Sequence, residues 1–512
     1  MISKFFIHQN FRYTERPFDM NDLDHSSASV YDVIIVGAGI SGINTAHHIQ
    51  RKLPNLTYCI LEGRSNIGGT WDLFRYPGIR SDTDLHTFGF GWNPWSENRA
   101  IADGGSIASY LHESAKIEGI DRHILLRHRV DSANWSSTLR LWELHVEIEA
   151  SHRVQLQARF LVLGTGYYDY SKGLEPEIPG LCSFEGAIAH PQFWPDDLDY
   201  VDKRVVIIGS GATAITLLPN IAAKASHVTM VQRSPTYIMS IDNTTDRSWR
   251  HKFLPQNWSF KIDRWIFMWT IIILYKICRL FPERSRKVLQ GAVEKQLPDH
   301  TPVDPHFTPH YKPWDQRLCF APNGDFFESL RIGKARVETG HIKCVKANGV
   351  ILESGNWLDA DIIVPATGLK LAIGGRISIN VDNKPIDLAD RFAWHAALLE
   401  DVPNLALIIG YINASWTLGA ETTAHLLCRL LQHMKKKGYD TVVPRVPAGS
   451  PIQPRRLWNL DATYVKKATS SMPRCGDIGP WKGRVNYIVD LWKAKYGSIT
   501  KDLEFHAVSK AE

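Results

Sequence analysis

Cysteine is sparse and scattered in this 512-residue chain: Cys59, Cys182, Cys278, Cys319, Cys344, Cys428 and Cys475 never fall at C-x-x-C spacing. That argues against a disulfide scaffold, a zinc ribbon and a redox dithiol, and leaves free thiols in a reducing compartment as the expectation. A surplus of one charge is missing too. The net charge of +6 is mild for this length, and no basic tract carries interleaved aromatics, so nucleic acid is not an expected partner. Also missing is an apolar run of the ~20 residues that would span a bilayer. The run WIFMWTIIILY over 265–275 is too short; Arg264 precedes it, and Lys276, Arg279, Arg284, Arg286 and Lys287 follow. The favoured reading is a buried helix of an insertion. The alternative is an interfacial helix giving peripheral membrane contact through 264–287. The chain thus reads as cytoplasmic, with membrane association as the alternative. Residues 1–30 lack the pattern of a signal peptide and read as an N-terminal extension.

What is present is an ordinary globular composition, 44% hydrophobic and 22% charged, with an unusual 17 Trp. The length suits two or three domains. Two strand–glycine–helix units punctuate it. Val33–Ile34–Ile35–Val36 runs into Gly37–Ala38–Gly39–Ile40–Ser41–Gly42, and Val205–Val206–Ile207–Ile208 runs into Gly209–Ser210–Gly211–Ala212–Thr213–Ala214. Continuous β-branched runs suit parallel strands buried on both faces, and the glycines let backbone and helix N-terminus approach a pyrophosphate. Behind the first unit, Glu62 closes a short apolar strand at the position of a ribose-binding acid. Behind the second, the equivalent strand ends in Gln232–Arg233–Ser234, so a cation stands where an acid would repel a 2′-phosphate; NADPH is the expected ligand. Two dinucleotides in one protein are implied.

Further strands, 159–163 and 361–364, end in small residues and fit a chain that leaves the first domain and re-enters it. The expected fold is α/β, with two doubly wound, Rossmann-like dinucleotide-binding domains, the second, NADP-binding one inserted into the first, and a helical insertion. The boundaries read as 31–165 and 346–440 for the first domain, 166–345 for the NADP domain with its insertion over about 243–309, and 441–512 for a tail.

Two longer strings remain. Gly68–Gly69–Thr70–Trp71–Asp72–Leu73 continues to Tyr76–Pro77–Gly78 and Arg80–Ser81–Asp82; Phe184, Gly186, His190, Trp194 and Pro195 make F-x-G-x-x-x-H-x-x-x-W-P. Together they resemble the paired fingerprints of the type I Baeyer–Villiger flavin monooxygenases. The strings DLFRYPGIRSD, HPQFWPDDLDY, QRSPTY, PWDQRLC and NASWTL are similar to the branch containing the ethionamide-activating and long-chain alkane flavin monooxygenases. The resemblance covers about 31–435. It implies FAD and NADPH as cofactors, and oxygen insertion beside a ketone carbonyl, through a C4a-peroxyflavin, to give an ester or lactone. Oxidation of sulfides or thioamides is implied as well. The alternative is an N- or S-oxygenating, or long-chain alkane-related, enzyme without ketone activity. O2 and a small apolar molecule are the expected substrates.

By the same resemblance Arg317 is the catalytic cation, with Asp82 holding it. FAD contacts fall on Ser41, Glu62, Gly69, Thr70, Trp71, Asp72, Leu73, Asp82 and the backbone of Val130, and NADP contacts on Arg80, Ser81, Asp82, Gly209 to Ala214, Ile215, Arg233 and Ser234. The segment 413–417 is expected near the flavin. Gln316 departs from better-known members, which carry Lys there, so Arg233 must carry more of the selection for NADPH over NADH.

Overall fold

The computed structural model describes residues 30–149, 152–244 and 253–507; most of the extension read over 1–30 lies outside them. Strand β1 (Val30–Val36) is followed by helix α1 (Ile40–Lys52) and strand β2 (Tyr58–Leu61). Next come β3 (Ile124–Leu125), β4 (His128–Ser136), β5 (Leu141–Ile148) and β6 (His152–Leu163). β6 pairs in parallel with β1, which pairs in parallel with β2, and β2 with β3. The N-terminal half of β6 instead pairs antiparallel with β5, which pairs antiparallel with β4. One long strand therefore joins a doubly wound core to a meander. Val33, Ile34, Ile35, Ile60, Leu61, Leu161 and Val162 are fully buried, as a parallel sheet covered on both faces requires.

The second sheet is all parallel. It holds β7 (Ala187–Ile188), β8 (Arg204–Ile208), β9 (His227–Gln232), β10 (Ala335–Thr339) and β11 (Ile362–Pro365), with helix α2 (Ala212–Ala222) following β8. Its order is β10–β9–β8–β11–β7. This corrects the expectation for 361–364. That strand lies beside β8 in the second sheet, so the chain returns to the first sheet after Pro365 rather than near 346. The return is made by β12 (Ser378–Val381), parallel to β4, and β13 (Leu405–Leu407), parallel to β6. Helix α5 (Trp416–Lys437) then packs along α1.

Between β9 and β10 the insertion forms α3 (Gln256–Leu280) and α4 (Pro282–Glu294). The expectation of a buried helix is overturned here: Trp265, Ile266, Trp269, Ile273 and Ile277 are 46–50% exposed. Among the described residues no single helix is long and apolar enough to cross a membrane. The tail contributes α6 (Thr463–Ala468) and α7 (Tyr487–Tyr496).

Candidate functional site

Both glycine turns open onto one cavity of about 1280 Å³, larger than the ~300–1,000 Å³ usual for a single small ligand. At the first turn, a Cβ on Gly42 would lie 1.9 Å from the Gly37 carbonyl oxygen, so helix and strand pack as closely as the motif implies. Gly39 ends one wall and Gly69 the facing one; a Cβ on Gly69 would stand 3.3 Å from the Gly39 Cα. Gly39 is the N-cap of α1 and Gly211 that of α2, neither with a side chain to cap the helix, which leaves N-terminal amides for an anion. At Gly211 an added Cβ would meet nothing within 4 Å. These features fit two pyrophosphates.

Glu62 lines the cavity yet is mostly buried. Its two carboxylate oxygens accept from the Ala38 amide (2.8 Å) and the Arg64 amide (2.9 Å). Burial pushes its pKa up, against the pull of those amides. The acid therefore braces the glycine turn from within the cavity wall. Val130 lines the same cavity from inside β4, at a register shift in its pairing with β5.

At the other end, Arg317 Nη1 donates to Asp82 Oδ2, and that carboxylate raises the guanidinium pKa further, so the cation is permanent. Arg317 Nε is buried with no hydrogen-bond partner among the described residues. Around the pair stand Tyr167, Tyr464 and Trp416; the Tyr167 and Trp416 rings stack at 4.9 Å. Trp416, in the expected 413–417 segment, donates through Nε1 to Ser41 Oγ (2.9 Å), and the Tyr168 hydroxyl donates to Thr70 Oγ1 (2.6 Å). Burial in this wall raises the Tyr167 and Tyr168 pKa values, keeping both as neutral hydroxyls.

Of the residues expected from the sequence, Gly37, Gly39, Ser41, Glu62, Gly69, Thr70, Trp71, Arg80, Asp82, Val130, Arg233, Ser234 and Arg317 line the cavity, as do Gly209, Ser210, Gly211, Ala212 and Thr213. Five others turn away from it. Asp72 pairs with Arg64 at 2.6 Å, and Leu73 packs against the core. Ser81 is buried against the Ala102 amide, while Ala214 and Ile215 face the core beneath α2. Gly42 also lies off the cavity, in its packing role. Arg80 lines it but is already paired with Asp325.

The tail takes part as well. Tyr464, Thr463 and Lys467 on α6 line the cavity, and Arg233 Nη2 donates to Thr463 Oγ1 at 3.2 Å. These are ordinary residue types some 230 positions from Arg233, and no motif marks them. The string 184–195 forms edge strand β7 and a short turn. The His190 imidazole accepts from the Gln192 amide, and the Gln192 side chain donates to the Asp169 carbonyl in the connection from the first sheet. It thus bridges the two dinucleotide units.

A family model described as pyridine nucleotide-disulphide oxidoreductase matches residues 34–248. All seven cysteines are free, so the match concerns the nucleotide-binding architecture and not a redox disulfide. The chain is 44% identical over 476 residues to the FAD-containing monooxygenase EthA of Mycolicibacterium smegmatis, covering 92% of this chain and 96% of that one. It is 45% identical over 463 residues to the probable FAD-binding monooxygenase AlmA of Acinetobacter baylyi, covering 90% and 92%. Among solved structures, an oxidized steroid monooxygenase bound to NADP superposes with a TM-score of 0.71 at 20% identity, over 94% of this chain and 100% of that one. The epsilon-caprolactone-bound cyclohexanone monooxygenase superposes with a TM-score of 0.70 at 20% identity, over 93% and 100%.

Proposed function

The chain belongs to the FAD-containing monooxygenases and has the fold of the type I Baeyer–Villiger enzymes, and from that premise we propose that it inserts one atom of O2 beside the carbonyl of an apolar ketone, giving an ester or lactone. Sulfides and thioamides are proposed as further substrates of the same site. FAD and NADPH are the cofactors; when bound, they supply the reducing electrons and the activation of O2.

The observation that carries the reading is the Arg317–Asp82 pair, set in an aromatic wall at the meeting of two dinucleotide cradles. Oxygen insertion beside a carbonyl develops negative charge on the carbonyl oxygen. A fixed cation stabilises that charge best where water is scarce. Asp82 aims the guanidinium, and Tyr167, Tyr464 and Trp416 shield it. The proposed FAD cradle is the turn 37–42 with Ser41, Glu62, Thr70 and Val130. The proposed NADP cradle is the turn 209–213 with Arg233 and Ser234. Apolar substrates would reach the site beside the insertion helices, whose outer face is available for peripheral membrane contact.

Arg317→Ala tests the assignment. FAD content should stay at one per chain, while ester formation from a medium-chain 2-ketone falls ~100-fold or more, as when one electrostatic stabiliser is lost. Undiminished ester formation would remove Arg317 from the mechanism. A yellow protein that oxidises sulfides but no ketone would move the activity to sulfur.

A further inference from the structure

We infer that the outer face of α3 and α4 docks the enzyme on an anionic lipid surface and so places the entrance for apolar substrates at the membrane. The inference deepens the proposed apolar substrate class and rests on it for its purpose, though not for the binding itself. Trp258, Trp265, Trp269, Ile273, Ile277 and Leu280 recur at helical spacing along α3, each 46–71% exposed. A water-facing helix surface is ordinarily polar; a contiguous apolar stripe of this kind marks an interaction site. Three of the six are tryptophans, the residue that settles at the level of lipid headgroups.

Charge selects the occupant. Lys261, Lys276, Arg284 and Lys287 are exposed on the same pair of helices, against the exposed acids Glu283 and Glu294, the latter at the far end of α4. Lysines beside an apolar stripe can lay their stems along it while the ammonium reaches phosphate. A second copy of this chain would bring like charges together, whereas an anionic bilayer neutralises them. α3 and α4 meet at a bend of 116°, so the pair suits lying in an interface rather than crossing it as one rod.

The inner face of α3 ties this surface to the site. Arg264 donates to the carbonyl oxygens of Thr87 and Gly89 (3.1 and 2.7 Å) and pairs with Glu421 on α5 (2.7 Å). Farther along, the Tyr275 ring meets Trp314 edge-on at 5.6 Å and Arg279 pairs with Asp315 at 2.5 Å, two residues before Arg317. Met268 packs with Tyr411, which lines the cavity. A lipid-facing helix is thus one layer from the segment that carries the catalytic cation, and molecules dissolved in the bilayer arrive beside it.

The test is sedimentation of the FAD-loaded full chain with vesicles of phosphatidylglycerol and phosphatidylcholine (1:1) and of phosphatidylcholine alone. Strong binding to the anionic vesicles is expected. Trp265→Ser/Trp269→Ser/Ile273→Ser should weaken it at least tenfold, and Lys276→Glu/Lys287→Glu should weaken it on anionic vesicles alone. FAD content and oxidation of a short, water-soluble ketone should hold in both variants. No binding by the wild-type chain, or binding that both variants keep, overturns the inference. So does a dimer in sedimentation velocity that the triple variant dissociates without any vesicle binding. If vesicle binding behaves as expected but no ketone is oxidised, docking stands and the activity assignment is what fails.

Discussion

The two glycine turns share a motif but not an environment. At the first, a second loop closes on the glycine: Gly69 stands against Gly39, and Glu62 is buried behind both. At the second, the space over Gly211 is open and Arg233, which lines the cavity, is exposed. A pyrophosphate at the first would be enclosed by protein on two sides; at the second it would be reached from solvent. The difference is what a resident cofactor and an exchanging one require. It teaches that the sequence motif sets how closely a phosphate approaches, while the surroundings set how long it stays.

The sharpest way to break that comparison is to fill the two turns in parallel. Gly42→Ala would drive a methyl to 1.9 Å from the Gly37 carbonyl, against backbone that cannot give. A loss of about 3 kcal/mol or more is expected from such overpacking, read as a chain that purifies without FAD or melts far below the wild type. Gly211→Ala meets no atom within 4 Å. It should keep its FAD and show only a raised KM for NADPH. Equal loss of FAD in both variants would mean that the turns are not specialised.

Acid should also act on the first unit. His48 on α1 and His425 on α5 face each other with ring centroids 4.6 Å apart. Burial, then neighbouring cations, lowers them to about 2 and about 3 from 6.5. Both are neutral when folded but would take up protons when unfolded. Their contribution is therefore complete above pH 6.5 and is lost as pH falls from there towards the folded values. Each loses about 1.4 kcal/mol per pH unit, on the order of 5 kcal/mol for the pair by about pH 4.5. Acid titration followed by flavin fluorescence should show release beginning below pH 6.5, and His425→Gln should shift that midpoint downward. A release curve flat to about pH 4.5 would show that the pair is solvated or charged in the folded protein.

The same two units mark what was legible in the sequence. Glycine spacing, the strand before each glycine turn and Glu62 are local patterns fixed by backbone geometry, and they follow one another as that spacing requires. The sheet that strand Ile362–Pro365 joins is not legible, because a run such as Ile362–Ile363–Val364 looks alike in either sheet; only its partner, β8, distinguishes them. Ser81 and Asp72 belong to a fingerprint, yet a string does not say which way each side chain points. The α3 run misled in the opposite sense, since apolar composition reads as burial until the partner surface is known to be missing. Tyr464, Thr463 and Lys467 reach the cavity only through tertiary folding, and no local rule could have found them.

Selection of NADPH over NADH gives the smaller, finer tests. Arg233 is the cation that follows β9, and Gln316, which also lines the cavity, carries no charge. Arg233→Ala should forfeit a charge-assisted contact of about 1.5–3 kcal/mol, or roughly ten- to a hundred-fold in the NADPH KM, with the NADH KM unchanged. Lys467 should contribute less, for physical reasons already visible. It is 47% exposed, and its ammonium is shared with Glu177 at 3.0 Å, itself 85% exposed. It stands one helical turn beyond Thr463, the partner of Arg233. Solvent screening holds such contacts to about 0.2–1 kcal/mol, so Lys467→Ala should raise the NADPH KM only some two- to five-fold and leave that for NADH alone. A matching rise for NADH would show that Lys467 acts by seating α6 against the cavity, and would leave Arg233 as the sole selector of the 2′-phosphate.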